Sequence, residues 1–561
     1  MKHFVTFLIL LLLADFTFSQ PAGKEKFSLH LSLISENGKI KTREYKSTDS
    51  SEIKSIIETE IATLHNKGFL LAYDSTFKKD HFTTCKIFAG CRYKAKTDSV
   101  FIKKDSLNTL FYSLFKNSKY YSYSATLRQK ENLVKTFENT GYPFISVTCD
   151  SLIFDNQSIG FRYIIDKGPL ILYDSISLHG DVLVKSKFLM RYLQLPSGTP
   201  YSEKNIQAIP RRLSQTGFLE SSRSPDLWFG KDKARINIYL KKKKANKFEG
   251  IAGIIPPPND SSKLSVTGEV TLYLVNTLHH ADKFSLHWKK YDAEGQLLDA
   301  EFMYPYLFNF PAGMDLKFNL LKKDTSYINT LVKVGVPYFF SGNNFAGLKY
   351  EQKTTRVLTK TPSSSTANIN LNSAGLYFYW NNFDRIMIPR KGLGIEAEVM
   401  TGKKEIKKPD GEKSNEDYFS QHLQMSYHFP VAKNFGIKTE LQHGLLSGKT
   451  IFENELMRIG GYKTLRGFDE ESMSVQRYVS GLVEFKAFFG EYSNTFLFFN
   501  AASYYKNISE KINDSPYGFG WGIEIETPAG VLSLMYALGK QFDNPIELRN
   551  SRVHISLVNA F

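Results

Sequence analysis

The sequence predicts three small α+β repeats followed by an all-β transmembrane barrel of about 16 antiparallel strands. Three observations lead to this fold class. A helical pattern that ends in a glycine–aromatic pair recurs three times before residue 246. From residue 247 onward, apolar and polar residues alternate, as they do in strands with one lipid-facing side. Aromatic residues make up 14% of the chain, which is typical of the aromatic girdles of a membrane barrel.

The chain begins with the features of a secretory signal peptide. Lys2 and His3 form a short basic start, an apolar run covers residues 4–13, and small residues precede an expected cleavage before Gln20. The apolar run is too short to span a bilayer. We therefore expect residues 1–19 to be removed and the mature chain to leave the cytoplasm, with an uncleaved anchor as the alternative.

Charge and hydropathy limit the class of protein further. The mean hydropathy of −0.29 excludes a helical membrane protein but not a barrel, because only alternate residues of a barrel strand face lipid. The net charge is +16, and residues 241–244 are four consecutive lysines. Export argues against nucleic acid as the partner of this charge, so contact with solvent and anionic lipid head groups is the simpler interpretation.

The chain has three cysteines. In an oxidising compartment Cys85 and Cys91 could pair across a bent strand or hairpin, with Cys149 outside that pair. The alternative is three ordinary buried thiols. No metal site is expected, because three cysteines without a nearby histidine do not provide four zinc ligands.

The repeats suit small domains in tandem, because their spacing of 73 and 76 residues is too long for a solenoid. Each unit is expected to follow the order β-α-α-β-β, with an earlier helix over residues 106–115 and 185–193 in the second and third units. Pro210 is expected to kink the third unit's later helix. Three unrelated α+β modules are the alternative. The repeated pairs, whose glycines are placed to end the helices, are Gly68-Phe69, Gly141-Tyr142 and Gly217-Phe218.

The sequence predicts that the second half, residues 247–561, forms a series of β-hairpins. Odd positions of residues 419–429 are mostly apolar and even positions are polar, and residues 519–525 alternate apolar side chains with glycine and glutamate. At roughly 20 residues for each strand and its connection, the region allows about 16 strands. Residues 256–262, 359–368 and 403–415 are expected to be outer loops. A soluble β-sandwich is the alternative.

A glycine-rich, charged segment at residues 458–472, with the core Arg466-Gly467-Phe468, lies between two predicted strands. It resembles the sixth extracellular loop of the Omp85 superfamily, of the BamA/TamA-like, bacterial surface antigen D15 type. The three repeats resemble the POTRA domains of this family, which gives the expected domains 20–98, 99–168 and 169–246. Two other motifs resemble the family's barrel hairpin and its C-terminal assembly signal: Asp384, Arg385, Pro389 and Gly392, and then Val553, Ile555, Leu557 and Phe561.

The resemblance implies roles for individual residues. Arg466 is expected to enter the barrel lumen and meet Glu484 and Asn500, where the family usually has an aspartate in place of the asparagine. Gly467 would allow close backbone approach, and Phe468 would pack the loop against the wall. Whether Arg466 is a fixed strut or a moving part is left open by the sequence.

The resemblance also implies a function without enzymatic chemistry or a cofactor. The protein is expected in the bacterial outer membrane with its N-terminal domains in the periplasm. It would assist insertion or secretion of unfolded client polypeptides through POTRA strand addition and a barrel seam gated by loop six. Expected partners are these clients, outer-membrane lipid and periplasmic or lipoprotein accessory subunits, and no nucleic acid. A passive pore or structural surface barrel is the alternative. The segment Gly444–Thr450 is one residue too short for a phosphate-binding loop.

Overall fold

A computed structural model describes residues 27–36, 38–47, 49–79, 82–102, 120–155, 157–255, 265–290, 295–323, 325–359, 365–385, 388–407, 412–508, 510–527, 530–542 and 544–558. The expected signal peptide and the expected helix at residues 106–115 lie outside these ranges. The chain forms two compact units. One contains the chain up to Ile171 and Pro200–Glu203, and the other contains Leu172–Thr199 and Lys204–Phe561.

The first repeat forms a four-stranded sheet with the order β2-β1-β4-β3. Its helix α1 begins after Asp49, whose side chain accepts the backbone N–H of Ser51 and caps the first turn. The apolar side of α1 packs on the sheet, and a second strand stands where the common order β-α-α-β-β has its first helix. This prediction of β-α-α-β-β was therefore wrong for the first repeat. The elements are β1 (Phe27–Ile34), β2 (Ile40–Ser47), α1 (Ser50–Asn66), β3 (Tyr73–Lys79) and β4 (Phe82–Phe88).

The second repeat forms a three-stranded sheet with the order β5-β7-β6. Its first strand pairs in parallel with β7, so this sheet begins at Lys94, before the expected domain boundary at residue 99. Leu133 and Phe137 of its helix pack on Val147 and Ile165 of the sheet. The elements are β5 (Lys94–Ile102), α2 (Tyr123–Glu138), β6 (Ser146–Asp155) and β7 (Ser158–Asp166).

The third repeat belongs to the second compact unit and has the strand order β10-β11-β8. Its later helix is interrupted at Ala208, just before Pro210, which agrees with the expected kink. In all three repeats the first strand pairs in parallel with the last, and the glycine after the helix has a positive φ of 86° to 103°. The elements are β8 (Leu172–His179), α3 (Ser186–Tyr192), α4 (Glu203–Gln207), α5 (Ile209–Ser214), β9 (Leu219–Ser221), β10 (Asp226–Phe229) and β11 (Lys233–Lys242).

Among the described residues from 247 onward, 17 strands form one antiparallel sheet in sequential order. Two of these strands, β27 and β28, pair end to end with the same neighbour, β26, so the sheet is 16 strands wide, close to the predicted number. Two short strands, β23 and β24, pair only with each other. The strands are β12 (Lys247–Ile255), β13 (Ser265–Val275), β14 (Lys283–Lys290), β15 (Gln296–Tyr304), β16 (Met314–Lys323), β17 (Tyr327–Ser341), β18 (Asn344–Val357), β19 (Asn368–Asn381), β20 (Gly392–Lys407), β21 (Lys413–Ala432), β22 (Phe435–Gly448), β23 (Met457–Ile459), β24 (Met473–Val475), β25 (Arg477–Phe488), β26 (Asn494–Asn507), β27 (Lys511–Asp514), β28 (Tyr517–Thr527), β29 (Gly530–Lys540) and β30 (Arg552–Val558).

The two faces of this sheet differ in polarity as the alternation predicts. Apolar side chains such as Phe485, Leu497 and Trp521 are exposed on one face, while the other face is polar and packs against the segment between β22 and β25. The loop expected at residues 403–415 is mostly strand, because charged side chains continue the β20–β21 ladder on both sides of a short connection. Within the described residues, no helix combines the length and the apolar character needed to cross a membrane.

Candidate functional site

The segment between β22 and β25, residues 449–476, is called loop six below. It folds back over the polar face of the sheet and contains the hairpin of β23 and β24. Its apolar residues Ile459, Leu465 and Val475 are fully buried against Tyr478 and Tyr504 of the neighbouring strands. Loop six therefore has a small core of its own, which positions the residues of the Arg-Gly-Phe motif.

Arg466 and Glu484 form a buried ion pair. The side chains are 4% and 2% exposed, and Nη1 of Arg466 lies 2.6 Å from Oε1 of Glu484. The N–H bonds of this Nη1 do not point along that line, so the contact is an ion pair rather than an aligned hydrogen bond. The other carboxylate oxygen lies 3.2 Å from Nζ of Lys486. Glu484 on β25 therefore has two cations within ion-pair distance, while Lys438, opposite it on β22, pairs with Glu440.

Aromatic rings surround the guanidinium of Arg466. Its central carbon lies 4.8 Å from the ring centre of Tyr462, 4.9 Å from Phe498 and 5.7 Å from Phe496. Rings at this distance attract a cation through their electron-rich faces and exclude water from the ion pair. The environment thus strengthens the electrostatic attraction between loop six and β25.

Asn500 contacts the backbone of Arg466 rather than its charge. Its Oδ1 accepts the backbone N–H of Arg466 at 2.9 Å, and its Nδ2 donates to the carbonyl oxygen of Gly481 at 2.7 Å. A carboxylate at this position could accept the first bond but could not donate the second. Asn500, which lies on β26, therefore connects the backbone of loop six to the neighbouring strand β25.

Gly467 and Phe468 lie against β29. Gly467 has φ of 93°, and a Cβ at this position would come within 2.7 Å of the carbonyl oxygen of Leu538. Phe468 packs on the loop-six core, with its ring next to Gly539. On β28, a Cβ at Gly518 would overlap the carbonyl oxygen of Arg466. These strand glycines were not predicted as site residues, although the alternation of glycine at residues 518, 520 and 522 was visible in the sequence.

The beginning of loop six is attached to the sheet by a second buried ion pair, which the sequence analysis missed. Nζ of Lys404 on β20 lies 3.0 Å and 3.1 Å from the two carboxylate oxygens of Glu455, and it also donates to the carbonyl oxygen of Thr450. Next to it, Asn329 donates to the carbonyl oxygen of Asn454 at 3.1 Å. Nothing in local sequence distinguishes Lys404 from the many exposed lysines of the chain.

Loop six also contacts strands that are far apart in the sheet order. Nη2 of Arg458 donates to the hydroxyl of Tyr327 on β17 at 2.8 Å. Farther along the loop, Asp469 forms an ion pair with Arg552 on β30. The polar face of the sheet therefore curves around loop six.

A cavity of about 760 Å³ lies between loop six and the polar face of β21, β22 and β25. Arg466 and Glu484 line it, together with Pro389 of the predicted hairpin motif. The even-numbered residues of β21 and β22, predicted as the polar side, provide much of the wall: His422, Gln424, Ser426, Lys438, Glu440 and Gln442.

The predicted hairpin motif stabilises the connection between β19 and β20. Oδ1 of Asp384 accepts the backbone N–H groups of Arg390 and Lys391 at 3.0 Å and 3.2 Å. Arg385 and Arg390 donate to backbone carbonyls in the turn between β25 and β26, and Gly392 has φ of 128°. The motif thus closes one turn and attaches it to a neighbouring turn.

The predicted C-terminal motif lies on β30. Val553 and Ile555 are exposed on the same side of this strand as the other apolar outer residues. Leu557 also belongs to β30, but its side chain lies outside the described structure, as does Phe561.

Cys85 and Cys91 do not form the disulfide that their spacing allowed; both are thiols. Cys85 on β4 is fully buried between the first sheet and α1, whereas Cys91 follows the strand and is half-buried. Burial raises the pKa of the Cys85 thiol. Among the residues that the structure describes, no three His, Cys, Asp or Glu side chains come together as a metal site.

A wide antiparallel sheet with an apolar outer face, a polar inner face and an inward-folded loop defines the class of outer-membrane β-barrel proteins. A sequence profile described as the Omp85 superfamily domain matches residues 276–561, which is just over half of the chain. The chain belongs to the Omp85 superfamily.

Two solved structures, both of CdiB, support the same fold. CdiB from Escherichia coli is 11% identical, with a TM-score of 0.53, and the match covers 91% of this chain and 99% of that one. CdiB from Acinetobacter baumannii is 10% identical, with a TM-score of 0.50, and the match covers 91% and 97%. BamA from Haemophilus ducreyi lacking POTRA domains 1–3 is 15% identical, with a TM-score of 0.43 and coverage of 84% and 100%. No curated protein matches the chain.

Proposed function

We propose that the protein assists insertion or secretion of other polypeptides at the bacterial outer membrane, with its N-terminal units in the periplasm. Membership of the Omp85 superfamily supports this function. The observation that carries it concerns the two terminal strands of the sheet. β12 and β30 are at opposite ends of the strand order, and within the described ranges no ladder joins them. Such strand edges can accept a client strand through main-chain hydrogen bonds.

The sheet, in this proposal, closes into a barrel around loop six, so that β12 and β30 face each other as a seam. The contacts of loop six support closure, because one loop contacts Tyr327 on β17 and Arg552 on β30. The polar lining of the cavity between loop six and the sheet also suits a barrel interior. A client strand would pair at the seam and leave sideways into the bilayer.

The N-terminal units offer client-binding edges in the periplasm. β3 is an edge strand of the first sheet, and every residue of it is exposed, including Tyr73 and Phe77. An exposed edge of this kind can pair with an extended chain without reading much of its sequence. We assign the second of these units to residues from Lys94 onward, and the barrel domain to residues 247–561.

In this function the buried Arg466–Glu484 pair keeps loop six docked while clients are assembled. Arg466→Ala should reduce client assembly while leaving the sheet folded, because the apolar core of loop six and the strand ladders remain. Lys403→Ala is a matched control. Lys403 on β20 forms an exposed ion pair with Asp417 on the neighbouring strand β21, so this variant also removes one ion pair, but one that does not involve loop six.

The decisive measurement is the outer-membrane proteome after depletion of the protein and complementation with each variant. Loss of one client indicates a dedicated exporter, and loss of many indicates an insertase. If no client changes, the protein is a passive pore or structural barrel and the proposal is wrong. Equal client levels in the Arg466→Ala strain and the Lys403→Ala strain would contradict the proposed role of loop six, but not the proposed function of the protein.

A further inference from the structure

Within the described residues, four ion pairs between a lysine or arginine and a carboxylate connect loop six to the sheet, and they differ in burial. The side chains of Lys404 and Glu455 are 1% and 4% exposed, and those of Arg466 and Glu484 are nearly as buried. A third pair, between Lys506 of β26 and Glu453, is 19% and 28% exposed, and the fourth, between Arg552 and Asp469, is 39% and 67% exposed. Loop six is thus attached by two buried pairs, one partly buried pair and one solvated pair.

The solvated pair has good geometry despite its exposure. Nε of Arg552 donates to Oδ1 of Asp469 at 2.6 Å, and Nη2 donates to Oδ2 at 3.0 Å. This two-bond arrangement matches the planar guanidinium to the planar carboxylate. A weaker contact supports it, because Nδ1 of His554 lies 4.0 Å from the carboxylate of Glu470.

The four pairs end on different strands of the sheet. Lys404, Glu484 and Lys506 are on β20, β25 and β26, which have paired neighbours on both sides. Arg552 is the first residue of β30, the terminal strand, which pairs with β29 along one edge only within the described part of the chain. The most exposed of the four ion pairs is therefore the one that connects loop six to the strand at the seam.

We propose that the Asp469–Arg552 pair, called the latch, keeps β30 against loop six when the seam is closed and breaks when the seam opens. Loop six then stays on β20 and β25, because breaking a buried pair leaves an unpaired charge without water, whereas separated latch residues are hydrated at once. In this view loop six keeps its position when the seam opens, and β30 moves. The inference rests on the proposed function, since it takes the β12–β30 seam as the site of client release.

The position of β30 can be measured without any client. Spin labels at Phe485 and Ile555, which are exposed on the outer face of β25 and β30, report the distance between these strands in proteoliposomes. The native cysteines are first replaced by alanine. Asp469→Ala or Arg552→Ala should raise the fraction of long distances by roughly 1.5- to 5-fold, the effect expected of one exposed pair.

Charge reversal and salt distinguish the latch from a general loss of packing. The double variant Asp469→Arg/Arg552→Asp should restore the short distance that each single reversal loses. Salt should increase opening in the unaltered protein but not in Arg552→Ala, because the Debye length falls from about 10 Å at 0.1 M to about 3 Å at 1 M. Lys403→Ala, which removes a comparably exposed pair between β20 and β21, should change nothing. Unchanged distances in both single latch variants overturn the inference.

A cross-link separates the latch from the proposed function. Asp469→Cys and Arg552→Cys are joined by a short, reducible bis-methanethiosulfonate reagent in the same background, with the spin labels at residues 485 and 555 attached through side chains that are not thiols. Assembly of a small outer-membrane barrel protein, added unfolded as the probe, should stop and should recover after reduction. If the cross-link suppresses the long distances but the probe still assembles, the latch stands and the seam function fails. If the cross-linked protein still shows the long distances, the latch itself is wrong.

Discussion

Replacing either member of the buried Arg466–Glu484 pair should weaken the docking of loop six, but by unequal amounts. The two variants are Glu484→Gln and Arg466→Met, each close in volume to the residue it replaces. The inequality arises because Glu484 has two cationic neighbours, Arg466 at 2.6 Å and Lys486 at 3.2 Å. Arg466 has only one carboxylate among its described contacts.

The magnitudes follow from what each substitution leaves behind. Glu484→Gln leaves two buried cations, and Lys486 then has Glu524 at 3.8 Å as its nearest described carboxylate. Leaving a buried charge uncompensated costs about 3–5 kcal/mol. Arg466→Met leaves the carboxylate beside Lys486, which still compensates its charge, so the loss should fall below this range of about 3–5 kcal/mol.

Urea unfolding of the purified variants in lipid vesicles, followed by intrinsic tryptophan fluorescence, gives the two free-energy losses. Limited proteolysis shows whether loop six has left the inner face. Lys403→Met is the matched control, because its exposed pair with Asp417 should contribute less than about 1 kcal/mol. A loss for Arg466→Met equal to or larger than that for Glu484→Gln would refute the argument from the two-cation geometry.

Three further predictions concern Gly518, Asn500 and the pair of cysteines Cys85 and Cys91. Gly518→Ala should lower the free energy of unfolding in urea by about 1–3 kcal/mol, because its Cβ would overlap a loop-six carbonyl. Gly481→Ala is the control, since the nearest neighbour of its Cβ is at 4.0 Å, and its free energy of unfolding should change by less than about 0.5 kcal/mol. Equal losses in the two variants would contradict the contact between Gly518 and loop six. Asn500→Asp should lower stability by about 1–3 kcal/mol in the same measurement, because the bond donated to Gly481 is lost. In thiol labelling followed by mass spectrometry, Cys91 should react in the folded protein and Cys85 only after unfolding, since burial raises the pKa of the Cys85 thiol. Labelling of neither residue without a reductant would indicate the disulfide instead.

The fold class was accessible from the sequence because its main signals are periodic. Alternation along residues 419–429 predicts which side chains line the inner cavity, since side-chain direction in a strand depends only on position along the strand. The first repeat was predicted less well: β2 stands where the common order β-α-α-β-β has its first helix. Its residues Ile40–Ser47 form a hairpin with β1, a local pairing that the expectation of a common repeat order did not include.

The site was accessible only where a motif marked it. The core Arg466-Gly467-Phe468 and Glu484 were chosen from the resemblance, and the structure places the two charges in contact. Lys404, which pairs with Glu455, lies 51 residues away in the chain and has no local signal, because its burial depends on the path of loop six across β20. Contacts of this kind follow from sheet register and loop path together, and neither can be read from spacing.

Asn500 shows how a departure from the family pattern can be misjudged from sequence. The resemblance places Asn500 beside Arg466 in the lumen, at a position where the family usually has an aspartate. In the structure the side chain lies at the backbone N–H of Arg466 and at the carbonyl oxygen of Gly481, so it needs one acceptor and one donor. An aspartate supplies two acceptors and would leave that buried carbonyl without its donor. The charge of the Arg466 guanidinium is instead balanced by Glu484. The two residues therefore have different roles: Asn500 fixes the position of the loop-six backbone, and Glu484 determines how strongly the charge of Arg466 is held.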